Sequence, residues 1–468
     1  MNLQEKASKY QHHSHMHVLN IMFTIGLLLP VLVFGESEAD SLSHPKQIAF
    51  LNAIGQPTFI WAVNWYVLDQ YWANISIQTL KNNIETGWVW DEDGFDVNQV
   101  GHPTQGAFVY TAARAQGLSY WQSIAYPTIA SFIWEIGMET ESPSINDMIT
   151  TPMSGVSFGE IIHRLSALTL GPGTTKPLSR QLFAGLINPF GYGVNRILRG
   201  ESIHQNFNYR PSNLLAEISM GGGPGYRDKS NLDNSMPSRF VRFNLVYGNP
   251  ISKAKLFKPF DNFSFVSILN FSRKDYVGEI YASGMLARFY SRHSEKSKLV
   301  VSLFHNYDFM NQDNYKVSSS SVGPGIIHVY SVTPKLSFGT HVNGSFIFMG
   351  SAGDISDDTK LRDYHFGQGF SAKFMSKIIW AQRGEAYLRV KRYFIYAMEE
   401  SHVEGFENIN LLTAGGHVRV WEKYGIGVEG LVASRTVSYL NVERRETLQN
   451  TSMYRVYISY SLANKLFN

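Results

Sequence analysis

The chain carries two different rhythms of apolar and polar residues. From about Asn213 to the end the period is two. In LSFGTHVNGSFIF (336–348), Leu336, Phe338, Thr340, Val342, Phe346 and Phe348 share one face. Ser337, Gly339, His341, Asn343 and Ser345 share the other, which is the alternation of an extended strand. RFVRFNLVY sets Val241, Phe243, Leu245 and Tyr247 against Arg242 and Asn244, and YRVYISYSL sets Tyr454, Val456, Ile458, Tyr460 and Leu462 against Arg455, Ser459 and Ser461. Roughly twelve such segments are legible, at 212–220, 238–248, 263–273, 276–291, 297–311, 324–333, 336–350, 364–380, 383–398, 406–421, 424–440 and 450–464. The glycines of GGGPG (221–225) read as a loop that ends the first of them.

Long polar connections, GYRDKSNLDNSMPS (225–238) and SAGDISDDTKLRD (351–363), contrast with short turns, AQRGE (381–385) and EKYG (422–425). Long and short connections in alternation belong to an up-and-down meander. A strand set with one apolar and one small, polar face needs two solvents. In lipid every backbone polar group must pair, so such a sheet must close on itself. The pattern predicts an all-β transmembrane barrel of about 12 antiparallel strands, up-and-down, over 212–468. The aromatic Phe467 resembles the C-terminal signal of outer-membrane barrels, although it stands one place before the end.

Upstream, over 53–200, the period is helical. FIWAVNWYVLDQYWANISIQTLKNNI (59–84) is aromatic and interrupted, SYWQSIAYPTIASFIWEIGMETE (119–141) is apolar almost all round with a break expected at Pro127, and SFGEIIHRLSALTL (157–170) has apolar residues at helical spacing. None holds an uninterrupted apolar run of about 20 residues, so these predict an α-helical N-terminal domain that packs a core and does not span a bilayer. LINPFGYGVNRILRG (186–200) reads as a linker into the first strand. The apolar run VLNIMFTIGLLLPVLVFGESEA (18–39), after Lys6 and Lys9, reads as a signal peptide over 1–35, cleaved after Gly35 or Ala39.

Composition sharpens this picture. Aromatics make up 14% of the 468 residues and charged residues only 17%, so the bulk of the chain has ample apolar surface to bury. The formal charge of +3 gives no argument for a nucleic-acid partner. The absence of cysteine excludes disulfides and thiolate metal sites.

The segment 98–164 contains Gly-His-Pro, a run of small residues with Ala-Arg, then Trp-Glu, Pro-Ser-X-Asn-Asp, and Gly-Glu followed by Arg-Leu-Ser. These occur in NQVGHPTQGAFVYTAARAQGLSYWQS and SFIWEIGMETESPSINDMITTPMSGVSFGEIIHRLS, with GLINPFGYGVNRILRGE (185–201) as a continuation. The pattern resembles the bacterial envelope family of domain of unknown function 3943 (DUF3943). The resemblance implies an outer-membrane barrel architecture and brings no established activity.

Within GHPTQGAFVYTAARAQG (101–117), Gly101-His102-Pro103 reads as a turn, and the helix after it carries small Ala107, Ala112, Ala113 and Ala115. Gly155 and Gly159, four apart, suit close helix packing. Arg114 cannot lose its proton, so its burial demands acidic partners. Glu135, Glu139, Glu141, Asp147 and Glu160 are available, with Glu135 and Glu139 expected on one helix face. A structural network of Arg114, Asp147 and Arg164 with these carboxylates is the first expectation. A sharper one makes the cluster catalytic, with His102, Glu135, Glu139, Glu160 and His163 as candidates, because Glu160-X-X-His163 points two ligands the same way on a helix. A di-metal site would need a second such pair, and none is found, so no metal and no cofactor is assigned. In PSINDMITTP, Ser144, Asn146 and Asp147 read as the turn between two helices, bounded by Pro143 and Pro152.

The sequence thus predicts an outer-membrane barrel of a Gram-negative envelope, its helical domain plugging or capping the barrel through a buried Arg/His/carboxylate network. The other readings are an envelope enzyme acting on lipid or glycolipid through the His/Glu cluster, and a narrow channel or assembly scaffold. The expected partners are outer-membrane lipids and, during biogenesis, the barrel-assembly machinery.

Overall fold

A computed structural model of the chain describes residues 45–171, 176–194, 211, 213–227, 235–252, 257–271, 276–312, 315–353, 364–380, 383–398, 404–439 and 447–465. The expected signal peptide with both cleavage points, the end of the linker, Phe467 and much of the two long connections lie outside the described residues. The chain divides into two compact units between Arg210 and Pro211.

The second unit is a closed antiparallel barrel of twelve strands. They are β1 (Leu214–Arg227), β2 (Ser235–Tyr247), β3 (Phe263–Asn270), β4 (Val277–His293), β5 (Ser297–Gln312), β6 (Tyr315–Thr333), β7 (Leu336–Gly353), β8 (Tyr364–Trp380), β9 (Gly384–Met398), β10 (Glu404–Arg419), β11 (Tyr424–Tyr439) and β12 (Thr447–Lys465). Each pairs with its sequence neighbour, and β1 closes on β12 from Leu214↔Lys465 to Arg227↔Thr451. Closure leaves no unpaired sheet edge, the condition that lipid imposes.

The period-two reading holds in the burial of the strands. On β12, Tyr454, Val456, Ile458 and Leu462 are exposed while Met453, Arg455, Tyr457, Ser459 and Ser461 are buried. On β11, Ile426, Val428 and Val432 are exposed and Glu429, Leu431, Ala433 and Arg435 are buried. The exposed face is therefore the apolar one, continued by Phe338, Val342 and Phe346 of β7 and by Phe370, Phe374 and Ile378 of β8. A water-soluble barrel would have this the other way round.

Two strand ends differ from the sequence expectation. GGGPG does not end β1, which continues through it to Arg227 with both neighbours still paired. Glycine serves there because a Cβ on Gly221 would stand 2.1 Å from the Val456 carbonyl oxygen. Strand β6 begins at Tyr315, nine residues before the expected 324. Its opening run Ser318–Ser321 is buried throughout, so no apolar alternation marks it.

The first unit is helical: α1 (Pro45–Tyr66), α2 (Ile77–Thr86), α3 (His102–Ala115), α4 (Tyr120–Ser123), α5 (Ala125–Gly137), α6 (Ile145–Leu170) and α7 (Leu178–Ile187). No helix among the described residues is long and apolar enough to cross a membrane. Helix α3 is buried on nearly every side, and Ala49 and Ala53 of α1, Val109 and Ala113 of α3 and Tyr126 and Ala130 of α5 share one apolar cluster. Against α6 the approach is closer still. A Cβ on Gly106 would lie 2.0 Å from the Thr151 carbonyl oxygen, and one on Gly155 would lie 2.8 Å from the Gly106 backbone. The two backbones touch where side chains are absent.

Three local expectations are corrected. Gly101-His102-Pro103 is no turn: a π-helical turn, Val97–Gly101, runs straight into α3, with Gly101 and His102 in helical conformation. Asn146 and Asp147 are not turn residues but open α6 behind its cap Ser144, and Pro152 lies inside the same helix, where the close seam with α3 overrides its poor helix propensity. Glu139 lies beyond the end of α5 at Gly137, so it does not share a helix face with Glu135.

Candidate functional site

The polar residues singled out from the sequence separate into two groups within the helical unit. The first is centred on Glu160 of α6, which is fully buried. Its Oε2 accepts hydrogen bonds from Arg114 Nε at 2.8 Å and from Tyr110 Oη at 2.8 Å. Its Oε1 accepts from Arg164 Nε at 2.8 Å and from Arg114 Nη2 at 3.3 Å. Arg114 Nη1 also donates to the Leu118 carbonyl. Arg114 and Tyr110 lie one turn apart on α3, and Arg164 one turn beyond Glu160 on α6, so helical spacing within each element, with α3 packed on α6, converges three donors on one carboxylate. Burial would raise the Glu160 carboxyl, but Arg114 and Arg164 outweigh it and hold the group at about 2. A carboxylate accepts about four hydrogen bonds. Glu160 is saturated, which leaves it no free position for a further ligand. His163 is buried on the same helix and its charge interaction is with Glu160.

The second group forms where α3 and α6 begin and α5 ends. His102 Nε2 stands 3.7 Å from Asp147 Oδ1. Ser144 caps α6, its Oγ accepting from the Asp147 N–H at 3.2 Å, while its own N–H donates to Glu135 Oε2 at 2.8 Å. Asn146 Nδ2 donates to Asp147 Oδ1 at 3.0 Å, and Asn146 Oδ1 accepts from the Asp91 N–H at 3.0 Å. The Val89 N–H donates to the Pro143 carbonyl at 2.8 Å, and the Ile145 N–H to the Val89 carbonyl at 2.8 Å. These bonds tie the segment around Val89–Asp91 to the start of α6. Glu135 and Asp147 are buried and His102 is the partly exposed member. Glu139 accepts from Trp134 Nε1 at 3.2 Å.

The second group is short of positive charge. Burial, then the neighbouring Asp147, pushes Glu135 up to about 8, with His102 pulling the other way. Burial, then Asp91, pushes Asp93 up to about 7. Asp147 and Glu139 are raised by burial and by neighbouring carboxylates as well. Each of these buried carboxyls is held up by its burial and by the charge of the others.

The grouping expected from the sequence is thus redrawn. Arg114 and Arg164 meet Glu160, while Asp147 joins His102 and Glu135. Tyr110, Asp91 and Asp93 are additions to the sequence expectation, and Asn146, expected only as a turn residue, bridges Asp147 and the Asp91 backbone. Tyr110 is legible as one turn before Arg114, whereas the parts played by Asp91, Asp93 and Asn146 depend on a loop folding over a helix start.

The barrel holds a charged system of its own on its inward face. Arg455 of β12 contacts Glu279 of β4 at 2.5 Å and Glu429 of β11 at 3.1 Å. Arg242 of β2 contacts Glu429 at 2.5 Å, and Tyr387 of β9 donates to Glu429 at 2.6 Å. Asp308 of β5 pairs with Lys373 of β8 and with Lys391 of β9, the latter at 3.3 Å. Strands β4 and β12, and β5 and β9, are four places apart around the ring, so these pairs cross the lumen. Beside them Met310, Ile347, Tyr393, Ile409, Leu431 and Met453, from six strands, form one buried apolar cluster. Arg242 and Arg455 stood out in the sequence as polar residues in alternating strands, but their partners lie too far along the chain to be read from it.

Residues 87–190 match the family model described as Domain of unknown function (DUF3943). No curated protein matches the sequence. Among solved structures, the chain is similar to the NanC porin at 12% identity, covering 53% of this chain and 100% of that one, with a TM-score of 0.27. The Pseudomonas putida toluene transporter TodX matches at 9% identity over 54% of this chain and 90% of its own, with a TM-score of 0.23. OmpT, an outer membrane protein of Vibrio cholerae, matches at 6% identity over 53% of this chain and 96% of its own, with a TM-score of 0.22. The chain thus pairs a segment, residues 87–190, that matches the DUF3943 model with a closed twelve-stranded antiparallel barrel that follows it in sequence.

Proposed function

We propose that this is an outer-membrane protein whose barrel is an occluded anchor, embedded in lipid and closed to free diffusion, and that it holds the helical DUF3943 unit at the membrane through the covalent linkage of the two. The observation that carries this reading is the dryness of the inward charges. Glu279 and Arg455 are each 3% exposed, Asp308 is 2% exposed and Glu429 is 5% exposed. A water-filled channel would keep such side chains wet. Here they neutralise one another across the lumen, and an apolar cluster fills the space beside them. A barrel of this strand number has a bore that its own side chains can fill, so closure needs no inserted helix. The outward apolar face supports the lipid surroundings, because exposing it to water would cost about 25 cal/mol per Å².

Planar-bilayer recording tests the proposal. The unmodified protein should give no steady conductance, and a variant combining Arg455→Ala with Lys391→Ala should give discrete openings. Steady conductance of the unmodified protein would overturn the occluded reading in favour of a narrow channel. Recovery in the soluble fraction, without detergent, would overturn the membrane reading itself.

A further inference from the structure

We propose that His102, Glu135 and Asp147 form a binding site for one divalent transition-metal ion, of the Mn2+ or Zn2+ kind. One donor atom from each of the three lies within 4.8 Å of the other two. They come from three different elements: the first residue of α3, the last turn of α5 and the first turn of α6. Metal–ligand bonds of about 2.0–2.2 Å place ligand atoms about 3–4 Å apart, so separations of up to 4.8 Å must close by about 1–2 Å around an ion, within the reach of side-chain rotation.

A second observation separates this group from an ordinary cluster of acids. Glu135 is 1% exposed, and its Oε1 has no hydrogen-bond partner among the described residues. Its other oxygen is held by the Ser144 N–H, which fixes the carboxylate beside His102 and Asp147. A buried oxygen with no partner is unfavourable, and an ion at this place would give it one. The His102–Asp147 contact by itself leaves that oxygen unaddressed.

The donors indicate the metal. An imidazole nitrogen with two carboxylates suits Mn2+, Fe2+ or Zn2+, whereas Ca2+ and Mg2+ take oxygen ligands. Three protein ligands leave coordination positions open, unlike a closed structural zinc site. The surroundings hold the ligands in place: Asn146 binds Asp147 on one side and the Asp91 backbone on the other, and the Ser144 hydroxyl receives the Asp147 N–H. Partners of this kind orient metal ligands. Partly exposed His102 is the side from which an ion would enter. The inference does not depend on whether the barrel conducts.

The full chain, folded in detergent and stripped with a chelator, is titrated with Mn2+ while free ion is followed by electron paramagnetic resonance. One ion should bind per chain, and Zn2+ should displace it. His102→Ala and Glu135→Gln should abolish this binding, Asn146→Ala should weaken it roughly 10–100-fold, and Glu85→Gln, an exposed carboxylate of α2, should leave the stoichiometry unchanged. Absence of binding to the unmodified chain, or binding unchanged in His102→Ala, overturns the proposal. Should the variants fail to fold, the unmodified protein still decides: bound Mn2+ must broaden the His102 imidazole resonances, and unbroadened resonances at full occupancy also overturn it.

Discussion

Arg455 reaches Glu279 at 2.5 Å although 176 residues and four strand positions separate them. The guanidinium joins β12 to β4 and, through Glu429, to β11, so it braces the barrel across its bore as well as along its wall. Removing one partner of a buried pair leaves the other charged and dry, at a cost of about 3–5 kcal/mol. Arg455→Met and Glu279→Met should each lower barrel stability by that order. The double replacement by Met should recover much of the loss, because a volume-matched apolar pair needs no neutralisation. Denaturant unfolding of the detergent-solubilised protein, arranged as a double-mutant cycle, measures the coupling; additivity within error would refute it.

The Glu160 group predicts a pH dependence with a definite sign. Its carboxyl sits at about 2 in the folded protein against an ordinary 4.5. A depressed folded value means the unfolded chain binds the proton more tightly. The stabilisation is therefore complete above about pH 4.5 and is lost as the pH falls towards 2. Glu160→Gln should destabilise the helical unit by roughly 3–5 kcal/mol at neutral pH, since Arg114 and Arg164 stay buried without their anion. The gap in melting temperature between the two proteins should narrow steadily from pH 5 to pH 2. A gap that stays constant across that window contradicts the assignment.

Gly106 and Gly155 mark the closest approach of α3 and α6. Gly106→Ala would drive a methyl group to 2.0 Å from the Thr151 carbonyl, which is backbone and cannot swing away. The helices must separate, at a cost of about 1–3 kcal/mol or more. Gly101→Ala, with only ordinary contacts near 3.8 Å, should be tolerated. Melting curves followed by tryptophan fluorescence compare the two, and equal losses would argue against the packing.

Val456, 64% exposed on the outward face of β12, tests the surrounding medium. Val456→Arg should cost about 2–4 kcal/mol in a bilayer if it lies near the midplane, and little in water. The change should reduce the fraction of chains that refold into lipid vesicles, seen as lost heat-modifiable mobility on gels. Refolding yields equal to the unmodified protein would speak against lipid contact there.

The sequence by itself determined the barrel, because a period of two with one apolar face is a local property of each strand and closure follows from it. It likewise marked Arg114 as a buried cation in need of an anion. Strand ends such as GGGPG and Ser318–Ser321 escaped, because residues without large side chains carry no periodic signal. Tertiary structure alone decided the partnerships. Helical spacing brought Arg114, Tyr110 and Arg164 onto Glu160, but only the docking of α3 on α6 placed them within reach. The meeting of His102 with Glu135 and Asp147, and of Arg455 with Glu279, required whole elements to arrive from distant parts of the chain. Electrostatic contacts fall off over a few ångströms, and sequence separation carries no information at that range.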